Sequence, residues 1–220
     1  MKKEFFICVL LLGSGIIFAQ TPQLYVGGKA GLGPIMGSDG TVLGGNLTPL
    51  EVGWQITEFL SLGSSVNFYF GPQTKHTALK QTDTSSGIME TYSCMETHIL
   101  FPLILQYTYR PTPFSFEFGG GLYVAPVVMN TTVERTNDNG YTVGEGYGKN
   151  LFSADQDNPF GFIVTGSFGV KVGKGIIYFN TSFLRDFSEV TVKFNDNKIG
   201  SHLWNILAFN VGYKHGFLSK

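Results

Sequence analysis

Charge is scarce in this sequence. Fifteen basic and sixteen acidic side chains make up 14% of 220 residues, for a net charge of −1. Soluble domains carry nearer 25% charged residues, so a water-facing surface is hard to build from this chain. No long basic run occurs, and no nucleic-acid partner is expected. Cysteine is nearly absent: Cys8 and Cys94 are the only two, and Cys8 lies in an apolar amino-terminal run. A disulfide framework is therefore excluded, and Cys94 reads as a structural thiol. Beyond residue 20 there is no run of about 18 apolar residues, so no transmembrane helix is expected. Apolar positions rarely recur at helical spacing either. Disorder is excluded by a hydrophobic content of 43%. Collagen is excluded because the glycines show no period of three.

Glycine and aromatics are what the chain has in excess. There are 29 Gly, 20 Phe, 10 Tyr and 2 Trp, yet the mean hydropathy is only +0.10. At the amino terminus, Lys2 and Lys3 precede an apolar stretch from Phe5 to Phe18, then Ala19 and Gln20. A basic end, a short apolar core and a small residue are the parts of a secretory signal peptide. Residues 1–19 are read as that signal, cleaved after Ala19, and residues 20–220 as one domain.

Within that domain the dominant pattern is alternation with period two. Leu50, Val52, Trp54 and Ile56 alternate with polar or small residues across 49–57, and Leu60, Leu62, Val66, Phe68 and Phe70 do so across 59–70. The same holds for 96–109, 114–128, 160–172 and 203–215, and more weakly for 23–33 and 176–186. Eight strands result. Three connections are tight (Thr57-Glu58, Arg110 to Pro113, Gly173 to Gly175), and they alternate with four longer polar ones near 34–48, 71–94, 129–159 and 187–201. Strictly alternating short turns and long loops are the habit of an up-and-down barrel in an outer membrane. Strands of 9–14 residues also suit the ~9–11 that a tilted strand needs to cross. Alternation does not say which face points outward, but the lack of charge does: the apolar face meets lipid and the polar face lines the lumen. Two aromatic girdles follow, one at Tyr107, Tyr109, Phe114, Tyr213 and Phe217, the other at Phe68, Phe70, Phe160 and Trp204. The expected fold is all-β, an eight-stranded antiparallel up-and-down transmembrane β-barrel.

Four segments carry a family resemblance. Thr97-His98-Ile99-Leu100-Phe101-Pro102-Leu103-Ile104-Leu105-Gln106-Tyr107 resembles the "E-I-P-L-L-L-K-Y" strand of the PorT-like outer membrane β-barrel family. Phe118 to Val124 is similar to its "G-x-G-x-Y-x-G" strand, Asn158 to Val170 to its "D-F-G-x-x-x-G-x-G-V" segment, and Phe209 to Tyr213 to its "L-x-G-Y-x-F" end. Gln106 stands where that family usually has a basic residue, and four residues follow Gly216. OmpA-like and OmpW-like barrels are neighbouring architectures. The resemblance implies an outer membrane location and no particular activity.

Chemistry is thin along the chain. Gly27-Gly28-Lys29-Ala30-Gly31-Leu32-Gly33 lacks the Gly-Lys-Ser/Thr of a phosphate loop and reads as strand glycines in a crowded interior. His76, His98, His202 and His215 have no metal-ligand spacing. A lipid-modifying rim site would need His202 with Ser201 and Asp196, a weaker reading than an exposed loop histidine. Asn137 to Gly140 and Asp155 to Asn158 read as turn chemistry rather than Ca²⁺ ligands. The lumen face is more informative, with Lys29, Glu51, His98, Gln106, Glu117, Lys171, Asn210 and Lys214 as its polar and charged candidates. Five of them are charged, and in a narrow barrel they must pair to be tolerated. The expectation is a monomeric, non-enzymatic scaffold without a cofactor, embedded in outer membrane lipid and meeting an extracellular ligand or host surface through its long loops. Alternatives are a narrow channel or conduit for small apolar solutes, a lipid-modifying enzyme, and a soluble lipocalin-like binder.

Overall fold

β-Branched and aromatic side chains alternating with Gly, Ser, Thr and Asn favour a pleated backbone whose two faces meet different surroundings. The computed structural model, which describes residues 23–37, 40–80, 88–136, 142–147 and 152–217, has that form throughout, with no helix among the described residues. Eight strands form the barrel: β1 (Gln23–Gly37), β2 (Gly40–Gln55), β3 (Leu60–Lys80), β4 (Ile88–Tyr109), β5 (Phe114–Val124), β9 (Phe160–Val172), β10 (Gly175–Asp186) and β13 (Asn205–Phe217). Each pairs antiparallel with the next in this order. The ring closes where β1 pairs with β13, for example Gly28 opposite Tyr213. Closure leaves no open sheet edge around the wall.

The short-turn end is as expected. Residues 56–59, 110–113 and 173–174 join β2 to β3, β4 to β5 and β9 to β10. The β4–β5 turn contains a cis Thr112–Pro113 peptide, and Gly173 takes a φ of 59° that favours glycine. The opposite end corrects the expected loops. Instead of a loop over 34–48, β1 and β2 run on to Gly37 and Gly40. Instead of a loop over 71–94, β3 and β4 stay paired as far as Lys80 and Ile88. β4 has 22 residues, roughly 70 Å at ~3.3 Å per residue, more than twice a hydrocarbon core of ~30 Å. After a break at Ala125-Pro126, β6 (Val127–Thr136) pairs with the upper half of β4, and β7 (Thr142–Tyr147) pairs with β6. A second, three-stranded sheet is built from β8 (Phe152–Gln156), β11 (Val190–Phe194) and β12 (Asn197–His202). It covers the apolar cluster of Cys94, Phe152, Val192 and Phe194. Cys94 is buried there beside the Met129 sulfur at 3.3 Å. Cys8, residues 1–19 and Asn137 to Gly140 lie outside the described residues.

The outer wall is apolar on every strand. Leu32, Leu50, Phe70, Leu105, Phe118, Phe168, Phe179 and Val211, one from each barrel strand, are all exposed. Trp54, Tyr107, Tyr109, Phe114 and Tyr213 form a girdle above the short turns. The expected upper girdle holds for Phe70 and Phe160 but not for Trp204, which is only 1% exposed and lies inside the barrel. The side chain of Phe217 lies outside the described residues.

Candidate functional site

The lumen is filled in layers, and the strand register sets their height. Nearest the short turns is a charged layer. Lys214 on β13 reaches between two carboxylates, 3.2 Å from Glu51 Oε1 and in a short contact with Glu117 Oε2. Its ammonium also lies 4.8 Å and 4.6 Å from the ring centres of Tyr25 and Tyr178. Tyr178 donates to Glu51 Oε2 at 2.7 Å, and Lys29 stands 3.8 Å from the same oxygen. Ser167 donates to Glu117 Oε2 at 3.2 Å, and Arg110 reaches Glu117 Oε1 at 3.7 Å. Gln106 accepts from the Tyr25 hydroxyl at 3.2 Å. Every carboxylate oxygen in this layer has a cationic or hydroxyl partner, which is the condition for holding charge out of water.

Above it lies an amide and hydroxyl layer. Asn180 Nδ2 donates to Thr165 Oγ1 at 2.6 Å, while its Oδ1 accepts from Asn210 at 3.2 Å, Ser182 at 2.8 Å and Lys29 at 3.3 Å. Thr48 donates a short hydrogen bond to Asn67, which donates in turn to Ser65 at 2.9 Å. The third layer was not expected. Ile35, Leu100, Ile104, Ile163, Leu184, Trp204, Ile206 and Ala208 pack inside the barrel with Tyr69 and Tyr123. The lumen is thus apolar in its far half, where a mainly polar inner face was expected, with Leu100, Pro102 and Ile104 as its apolar members on 96–109. A narrow barrel has to fill its interior, and residues too far from the mouth to be hydrated fill it most cheaply with hydrocarbon.

Most of the expected lumen residues do point inward. Lys29, Glu51, Glu117 and Lys214 form one network, Gln106 joins it through Tyr25, and Asn210 belongs to the amide layer. His98 is buried but stands apart, stacked on Trp204 with ring centres 3.4 Å apart. Lys171 is exposed at the rim and outside the network. Arg110, Tyr25 and Tyr178 were missed. Arg110 reads as a turn residue in sequence, and nothing local shows that its long side chain doubles back to Glu117. Tyr25 and Tyr178 had a signal in the glycines opposite them. A Cβ at Gly53 would overlap the Tyr25 ring, and one at Gly212 would meet the Tyr178 ring.

The rim idea built on His202, Ser201 and Asp196 is not assembled. His202 Nε2 lies 2.8 Å from Glu96 Oε2 on β4, and Asp196 occupies the β11–β12 turn with a φ of 64°. The side chain of His76 lies outside the described residues. Asp155 pairs with Lys193 at 2.9 Å, and Asn158 accepts from the Phe160 amide at 3.1 Å. The Asp155 carboxylate, by hydrogen bond and charge, raises the Lys193 ammonium above its usual range. No group of ligating side chains suited to a metal occurs among the described residues.

At the short-turn end the charged layer opens into a vestibule of about 350 Å³. Its wall includes Arg110, Lys171, Lys174 and Lys214, with Phe114 and Ile176 beside them and no acidic residue among the described residues.

A closed antiparallel wall that is apolar outside and ion-paired inside is a transmembrane β-barrel. Among solved structures the chain is similar to the outer membrane protein OprG from Pseudomonas aeruginosa, at 9% identity and a TM-score of 0.52, covering 90% of this chain and 96% of that one. It is also similar to Neisserial surface protein A, at 13% identity and a TM-score of 0.43, over 88% and 97% of the two chains. The outer membrane protease OmpT from Escherichia coli matches at 9% identity and a TM-score of 0.40, over 90% and 97%. The likeness to OprG is one of fold. No family model matches the sequence, and no curated protein matches it.

Proposed function

We propose that the protein is a monomeric outer membrane scaffold of PorT-like type. It is exported through a signal peptide cleaved after Ala19 and displays extended β-structure at the cell surface. The observation that carries this reading is the pairing of a filled lumen with strands that outrun the membrane. A barrel filled by a charged, an amide and an apolar layer serves as a rigid post, and the β3–β4 hairpin with the β8–β11–β12 sheet is what it holds up. The outer membrane location is supported by the apolar belt, the aromatic girdle and the family resemblance. The partner would meet the protein at the paired far ends of β3 and β4 and at the second sheet.

An epitope inserted between Lys80 and Ile88 should be labelled on intact cells. One inserted in the Thr57-Glu58 turn should be labelled only after the membrane is opened. Labelling of both, or of neither, on intact cells overturns the orientation. Recovery in a periplasmic extract instead of a detergent-solubilised outer membrane fraction overturns the location and supports the soluble lipocalin-like alternative.

A further inference from the structure

We propose that the vestibule at the short-turn mouth is a binding site for a small phosphate-bearing anion. Charge balance carries the argument. Glu51 and Glu117 are the carboxylates of the charged layer, and their oxygens are already engaged by Lys214, Lys29, Arg110, Tyr178 and Ser167. Counting Lys29, Arg110, Lys214, Lys171 and Lys174 against these two gives five positive and two negative charges, an excess of three. Lys171 and Lys174 have no ion-pair partner among the described residues, and the described residues of the vestibule wall include no carboxylate to supply one. In a concave, low-dielectric mouth such an excess is focused rather than dispersed, and it concentrates anions.

The two lysines are also held in place. Gly173, in its left-handed conformation, turns the chain so that Lys174 stands at the apex, where the Lys174 carbonyl accepts from the Gly216 amide at 3.3 Å. The Lys171 amide donates to the Pro113 carbonyl at 2.8 Å, tying the β9–β10 turn to the β4–β5 turn across the mouth. Four cations, from the β4–β5 turn, β9, the β9–β10 turn and β13, converge on one space of about 350 Å³, enough for a phosphate and the group that bears it. Phe114 and Ile176 on the same wall give an apolar neighbour to the anion. A phosphate has two sources here, a free ion or ester and the headgroup of a lipid in the adjoining leaflet.

The test uses the refolded full mature chain in maltoside micelles, which carry no phosphate. Inorganic phosphate is titrated while its ³¹P resonance is followed. Saturable broadening is expected, weakened at least fivefold in Lys171→Gln/Lys174→Gln and unchanged in Lys198→Gln, an exposed lysine at the far end. In a second arm, native mass spectrometry from phosphatidylcholine nanodiscs doped with phosphatidylglycerol identifies retained lipid. Retention of phosphatidylglycerol by wild type but not by the double variant assigns the headgroup as the source, and the first arm alone assigns the free ion. Either result supports the site. No saturable binding in either arm, or equal loss in Lys198→Gln, overturns it. Binding should also fall as salt is raised.

Discussion

Lys214 holds the lower lumen together because, among the described residues, it is the cation shared by both buried carboxylates. Removing one partner of a buried, paired set leaves charge that burial will not tolerate. Lys214→Met is therefore expected to destabilise the barrel by about 3–5 kcal/mol, read from urea titration of the refolded protein in vesicles. Lys171→Gln, at the exposed rim, should stay within about 0.5 kcal/mol of wild type. A Lys214 variant that unfolds with wild type would mean the network is hydrated and idle. The glycines opposite the inward tyrosines give a second residue-scale prediction. Gly53→Val should cost about 1–3 kcal/mol through overlap with Tyr25. The same change should cost less in a Tyr25→Ala background, where the ring is gone. Additive losses in that double-mutant cycle would refute the aromatic–glycine contact. At this scale the sequence shows which residues alternate, but not that Trp204 turns inward onto His98. An aromatic at a strand end fits a girdle or a core equally well until the neighbouring strands are in place.

The eight barrel strands were legible because a period of two is a local property. The short-turn ends were legible for the same reason, since Thr57-Glu58, Thr112-Pro113 and Gly173-Lys174 interrupt the alternation with turn residues. The far ends were not, because strands that leave the membrane lose their apolar face while keeping their ladder. Gln73 opposite Met95 and Lys75 opposite Ser93 remain paired with no hydrophobic alternation to mark them. Which face meets lipid is testable at the scale of one strand. Leu103, on the outward row that runs from the girdle residues Tyr109 and Tyr107 through Leu105 to Phe101, lies deeper in the apolar belt than the girdle. Leu103→Arg should cost about 2–4 kcal/mol of folding free energy, against about 0–1 for Trp54→Arg in the girdle. Equal, small penalties at both positions would mean the outer wall faces water.

The whole molecule behaves as a filled cylinder. With charged, amide and apolar layers stacked in one lumen, the expected outcome in planar bilayers is little or no single-channel current. Sustained conductance would favour the channel alternative over the scaffold. By itself the sequence determined the fold class, the number of barrel strands, the short-turn ends and part of the inward polar set, with Tyr25, Tyr178 and Arg110 missing from it and Lys171 wrongly included. Each of these rests on alternation, on turn chemistry and on a charge content too low for a wetted surface. Tertiary structure decided the rest. Closure of β1 on β13 set the register that brings Lys29, Glu51, Glu117 and Lys214 to one height, sends Arg110 back to join them and leaves Lys171 at the rim. Closure also narrowed the lumen until its far half had to be packed with Ile, Leu and Trp. The physical reason is that alternation fixes only the face a side chain takes, whereas its partner and its height depend on the stagger between strands far apart in sequence.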